Sequence, residues 1–138
     1  MPKTDGADQT RRIAFDITSR PATYATVAEA AWKSAVAEAV ESAMLGQLPM
    51  IGRFSVRIDF RLPTARNGNE AWDIDNLIKP TLDAMAGVLG DRPVWGRRQA
   101  DDERVDEIHA TKRTVSLGQE GASIVVSLMR DDAKPGKG

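Results

Sequence analysis

From Arg53 to Leu62 the chain alternates without interruption. Phe54, Val56, Ile58, Phe60 and Leu62 fall on one side, and Arg53, Ser55, Arg57, Asp59 and Arg61 on the other. Successive side chains of a β-strand point to opposite faces, so a period of two sustained over this length dictates a strand with one apolar face and one polar face. The apolar face is core, and the other is a row of arginines. That row is either an ordinary solvated face or a surface that tracks phosphates.

The same logic reads the rest of the chain. Ile13, Phe15 and Ile17 alternate with Arg12, Ala14, Asp16 and Thr18, which predicts a half-buried strand ended by Pro21. Thr26 to Glu29 matches a capping box, so a helix is expected from there to about Leu45. Its stripe is Val27, Ala31, Ala35, Val36, Ala39, Val40 and Met44, small enough to pack closely on a sheet, with Gly46 as the stop. Pro63 to Glu70 reads as a polar loop holding Arg66, Asn67 and Gly68. A second helix follows, burying Ile78, Leu82, Met85, Ala86 and Leu89, and Pro80 requires its first turn nearby or a local distortion. Asp91 to Ala100 reads as irregular, and strands are expected over Val105–Lys112 and Ser123–Met129, joined through Leu117 to Gly121. The expected fold class is α/β of the α+β kind. It is one small domain over residues 12–130, a mixed sheet of about four strands packed with two helices, between polar, flexible ends at 1–11 and 131–138.

Composition narrows the function. At 138 residues, with 41% apolar and 28% charged residues, the chain suits one globular domain. No apolar run approaches the roughly 18 residues needed to span a bilayer, and Met1 to Thr10 lacks the apolar core of a secretory signal, so no membrane association and a cytoplasmic location are expected. Cysteine is absent, which excludes thiolate metal sites. The single histidine, His109, excludes a histidine-rich metal site, and no Ser/His pair suggests a hydrolase of that kind. His109, Trp32 and Trp72 are read as packing residues. A net charge of −1 does not by itself announce a nucleic-acid partner, although a local stripe of arginine can serve where acids elsewhere cancel the total.

Chemistry concentrates in Trp72-Asp73-Ile74-Asp75-Asn76-Leu77-Ile78-Lys79, which packs two carboxylates, an amide and an ammonium together. Aspartates at or just before a helix N-terminus suit Mg²⁺, a hard ion that takes carboxylate oxygens and keeps several waters. Asp102 of the Asp101-Asp102 pair is the candidate third ligand. Asp75, Lys79 and Asp83 share a helix face at i, i+4, i+8, so Lys79 either pairs with one of those acids or stabilises charge on a phosphate. An EF-hand is disfavoured because Leu77 stands where a ligand belongs and no glycine follows, and a nucleotide-sugar site would need a larger sheet. Trp95, beside Arg97 and Arg98, either stacks on an unpaired base or closes over the core as a lid.

The series Asp73-x-Asp75-Asn76-x-x-Lys79-Pro80-x-x-Asp83-Ala84, followed by Trp95 and Asp101-Asp102-x-x-Val105, resembles the RusA family of Holliday junction resolvases in both order and type. The resemblance covers roughly residues 12–130 and implies a homodimeric nuclease that binds four-way DNA junctions and cuts two strands symmetrically. It implies Mg²⁺, with Mn²⁺ able to substitute, and no organic cofactor. By position it places the essential aspartates on Asp73, Asp75 and Asp102 and the essential lysine on Lys79, with Asn76, Asp83 and Asp101 as accessory positions. Arg53, Arg57, Arg61, Arg97, Arg98 and Trp95 are the candidate DNA contacts. Three features depart from the family pattern: the proline-rich segment is reduced to Ser19-Arg20-Pro21, the link between Asp83 and Asp101 is longer and basic, and the chain is not basic overall. Two other readings remain open, a nuclease for flaps or other branched DNA and a junction binder without catalysis.

Overall fold

The computed structural model describes residues 11–66 and 71–129; the expected flexible ends, and Asn67 and Gly68 of the polar loop, lie outside or at the border of that range. In chain order the elements are β1 (Arg12–Ile17), α1 (Glu29–Met44), β2 (Phe54–Leu62), α2 (Ile74–Asp83), α3 (Ala86–Leu89), β3 (Asp91–Val94), β4 (Arg97–Ala100), a 3-10 turn (Asp102–Arg104), β5 (Val105–Thr114) and β6 (Gly121–Leu128). Four strands make a mixed sheet in the order β1-β6-β2-β5, and β3 and β4 pair separately. β6 is antiparallel to β1 and β2, whereas β5 runs parallel to β2. The expected α+β domain is present, with three helices rather than two. Among the described residues no helix is long and apolar enough to cross a membrane.

The alternation of β2 is realised residue by residue. Phe54, Val56, Ile58 and Phe60 are fully buried and Leu62 nearly so. They meet Trp32, Val36, Val40 and Met44 of α1, Leu77 and Leu82 of α2, Met85, Val88 and Leu89 around α3, and Ala122, Ile124 and Val126 of β6. Each large apolar side chain so buried contributes about 1.5–3 kcal/mol, which makes this one-sided core the main source of stability.

Three expectations are corrected. Helix α1 begins at Glu29, not Thr26: the Thr26 hydroxyl donates to the Thr23 carbonyl and the Glu29 carboxylate accepts the Ala25 N–H at 3.0 Å, so these side chains brace the approach turn. Val27 is consequently exposed, and the buried stripe turns onto Trp32. The second helix breaks at Ala84 and Met85, whose N–H groups bond back to the Thr81 and Leu82 carbonyls in short i,i+3 fashion before α3 resumes. The stretch Asp91–Ala100 is a hairpin, because Trp95 and Gly96, at φ of 51° and 79°, form a two-residue turn of the left-handed kind that matches strand twist.

Pro80 lies within α2, and its missing N–H leaves the Asn76 carbonyl without a helical partner. The Tyr24 N–H takes it, at 2.8 Å, which ties the segment before α1 to the outer side of α2. A second tie is buried: the Trp32 indole N–H donates to the Thr81 hydroxyl at 2.9 Å, and that hydroxyl donates to the Leu77 carbonyl at 2.8 Å. Thr81→Val therefore leaves a buried indole donor unmatched and is expected to lower unfolding free energy by about 1–3 kcal/mol in urea titration, with Thr81→Ser recovering most of the loss.

Candidate active site

Asp73 is the N-cap of α2, in extended backbone geometry at φ −71° and ψ 126°. An aspartate there ordinarily accepts the free N–H groups of the first turn. Asp73 makes no such bond, and Asp75, one turn position on, is exposed beside it. Neither carboxylate is used to build the helix. Lys79 follows on the same face, 3.4 Å from Asp83 and with its ammonium 5.4 Å from the centre of the Tyr24 ring. Of the two pairings open to it by spacing, Lys79 takes the one with Asp83.

A cleft of about 370 Å³ opens beside Asp73, with Arg20, Thr23, Trp72 and Asn76 in its walls. Arg20 lies over the Trp72 ring at 5.3 Å. Lys112 of β5, which pairs with Phe60 in register and so shares the helix-covered side of the sheet, donates to the Trp72 carbonyl. Cations beside the acidic motif are thus Lys79, Lys112, Arg20 and Arg66, the last two in the walls of the cleft. Lys112 and Arg20 escape sequence reasoning because a lysine on an edge strand and an arginine in a loop look like solvent-facing residues; only the pairing register exposes Lys112's side.

Asp101 and Asp102 sit at the other end of β5. Arg92 reaches Asp101 at 3.2 Å and Asp102 at 3.9 Å, and the Asp101 N–H donates to the Gly90 carbonyl. Arg104 fixes this turn to the core by donating to the Gly52, Leu89 and Met50 carbonyls while lying 5.0 Å from the Phe54 ring centre. The amino end of β5 at Val105 and Lys112, beside Trp72, are seven residues apart, a rise of about 23 Å along the strand. Among the described residues no three carboxylate or imidazole groups gather closely enough to hold a metal ion. Of the three expected metal ligands, Asp73 and Asp75 adjoin at the head of α2, and Asp102 lies in the turn that leads into the amino end of β5.

The arginine row is also relocated. Arg53, Arg57 and Arg61 project from the sheet face opposite the helices, and hence opposite α2. Arg53 pairs with Asp106 at 2.7 Å and Glu103 at 3.2 Å, and Arg57 with Asp59 at 3.1 Å. Arg61, largely buried, donates to Asp16, Ser123 and the Ile17 and Gln119 carbonyls. Arg53 and Arg61 tie separate segments of the sheet together, Arg57 pairs within its own strand, and the side chains of Arg53 and Arg57 stay 47% and 62% exposed. The Thr111 hydroxyl, with Arg57, holds the Asp59 carboxyl below its ordinary pKa, and Arg53 does the same for Asp106. Their contributions are complete above the ordinary carboxylate pKa and fade as pH falls through the lowered values. Of the remaining candidates, Arg98 pairs with Asp91 within the hairpin, while Arg97 and Trp95 are exposed at its tip.

Arg61→Ala is expected to reduce stability by about 2 kcal/mol, since the part-buried Ser123 hydroxyl and Ile17 carbonyl lose a charged donor, whereas Arg57→Ala should change it by less than about 0.5 kcal/mol. Urea unfolding of the two variants side by side checks the contrast.

Comparison with curated proteins gives no match. A family model described as Endodeoxyribonuclease RusA matches residues 7–127. That span takes in every element from β1 to β5 and nearly all of β6, with the acidic motif, the Asp101-Asp102 turn and the sheet between them inside it. The chain belongs to the RusA family of endodeoxyribonucleases.

Proposed function

We propose that this protein is a Mg²⁺-dependent endonuclease that resolves four-way DNA junctions by paired phosphodiester hydrolysis, in recombination and repair. The observation that carries the reading is Asp73 at the head of α2, with a carboxylate that does not cap its helix, next to exposed Asp75 and one turn from Lys79, in a chain of this nuclease family. Folding does not account for two such acids. Two open, hard carboxylates suit Mg²⁺, which needs only one or two of them and completes its shell with water and phosphate oxygens, and Mn²⁺ accepts the same donors. A divalent ion held there supplies an activated water and neutralises charge on the leaving 3′-oxygen.

The chain's own residues do the rest. Asp73 and Asp75 hold the ion, Lys79 stabilises charge on the scissile phosphate, and the N-terminal end of α2 presents its positive dipole to the same anion. Arg20 and Lys112 flank the approach and offset the repulsion between DNA and the acids. Asp102 reaches the pair only through a rearrangement or from a second copy of the chain, and paired incision itself calls for a two-fold dimer. A second reading, cleavage of flaps or other branched DNA, is favoured by one feature: the arginine row is tied up within the sheet, leaving less cationic surface for an extended junction.

Cleavage of labelled four-way junction, flap and linear duplex with Mg²⁺ tests the proposal. Asp75→Asn should cut at least a thousandfold more slowly while still binding junction, and removing the metal with EDTA should stop the wild type; no Mg²⁺-dependent product on any substrate would sink the enzyme reading, and flap preferred over junction would select the second. Mixing inactive Asp75→Asn and Asp102→Asn proteins should restore nicking where Asp102 acts across a dimer, because one of the two shared sites is then intact.

A further inference from the structure

The β3–β4 hairpin carries a side chain that the fold does not use. Trp95 is 96% exposed, which excludes the reading of it as a lid over the core of this chain. It also occupies the first left-handed position of the turn, where asparagine, aspartate or glycine fit without strain and a tryptophan does not. A bulky apolar residue in strained backbone, fully in water, is costly on both counts and points to a use outside the fold.

Its setting is specific. Arg97 stands next to it on the tip and Arg98 lies one residue further along β4. β4 packs against α2 and α3 and runs directly into Asp101 and Asp102, while Arg92 of β3 grips both of those aspartates. With four residues in each strand, the tip stands about 13 Å beyond the root. The hairpin is thus a short, braced arm with an aromatic plate and cations at its end, rooted beside the acidic helix.

We propose that this hairpin is a stacking pin, in which the Trp95 indole stacks on an unpaired or unstacked nucleobase at an interruption in the duplex while Arg97 engages the adjoining phosphate. Stacking needs an accessible base face, which continuous duplex withholds and a branch point offers, so the pin selects branched DNA without reading sequence. This rests on the reading of the protein as acting on DNA, and it adds the element that recognises the branch.

The test uses the full chain without divalent metal, so cleavage plays no part. Wild type, Trp95→Phe and Trp95→Ala are titrated with a four-way junction and an uninterrupted duplex, each carrying 2-aminopurine, at the branch in the junction. Wild type should brighten 2-aminopurine in the junction and lose the tryptophan emission that Trp95→Phe lacks. Trp95→Ala should abolish the brightening and weaken junction binding by about 5- to 100-fold, with duplex binding changed less than about twofold and Trp95→Phe intermediate. Because Trp95 is exposed, all three should share one urea midpoint. Unchanged brightening and affinity in Trp95→Ala, or equal losses on junction and duplex, would overturn the pin. So would a Trp95 emission already shielded from acrylamide in free protein, together with altered sedimentation of Trp95→Ala, which would make the tip a contact between copies. A protein that shows the Trp95 response yet never cuts with Mg²⁺ keeps the pin and loses the nuclease reading. One that cuts normally without Trp95 loses the pin alone, and one that binds no DNA loses both.

Discussion

Everything chemical in this molecule follows from β5 running parallel to β2. Antiparallel neighbours can be joined by a two-residue turn, but parallel neighbours need a crossover that carries the chain back to its starting edge. Here the crossover holds the acidic helix, its broken continuation, the hairpin and the Asp101-Asp102 turn. Because β2 buries one face only, the crossover must pack on that face, and the candidate acids lie along its outer side. Asp73 enters near the carboxyl ends of the two strands, and Asp102 leaves near the amino end of β5. The topology that presents both also keeps them apart.

Charge is divided by the same sheet. On the uncovered face, opposite charges are interleaved: Arg53 with Asp106 and Arg61 with Asp16 between separate segments, and Arg57 with Asp59 within β2. Pairs of the first kind hold register, and all three leave little net field. On the covered side, Lys79, Lys112 and Arg20 gather around the acidic motif, and Arg97 and Arg98 ride on the hairpin. Charge also cancels on that side, where Lys79 takes Asp83 and Arg98 takes Asp91, so a near-neutral total is compatible with a few cations placed beside the acids rather than with a broad cationic surface.

How much of this was legible depended on whether the signal was local. The β2 alternation, the strand at Arg12–Ile17 and the acidic motif ahead of a helix are patterns within one segment, and each appears nearly where the sequence places it. Helix α1 starts later than the Thr26–Glu29 pattern suggests because these residues do form local hydrogen bonds, but in a turn before the helix rather than at its cap. The hairpin was hidden because Trp-Gly is a poor example of its turn type and β3 and β4 are mostly exposed, so no apolar alternation marks them. The rest depends on pairings between distant segments. That the arginine row faces away from the acids, that Lys112 lies beside Trp72, and that Arg104 clamps three carbonyls all require knowing which strands neighbour which.

Pro80 shows how a local penalty becomes positional information. Inside a helix, proline removes one hydrogen bond and costs about 3 kcal/mol relative to a good helix former. In α2 the carbonyl it leaves open belongs to Asn76, and the Tyr24 N–H fills it. That bond docks the segment between β1 and α1 against the acidic helix, sets the Tyr24 ring over the Lys79 ammonium, and so narrows where Lys79 can reach. A regular helix residue at this position would satisfy Asn76 internally and release the segment that supplies Arg20 and Thr23 to the cleft beside Asp73. The irregularity therefore helps to assemble the site: the missing N–H is what lets a remote stretch of chain become one of its walls.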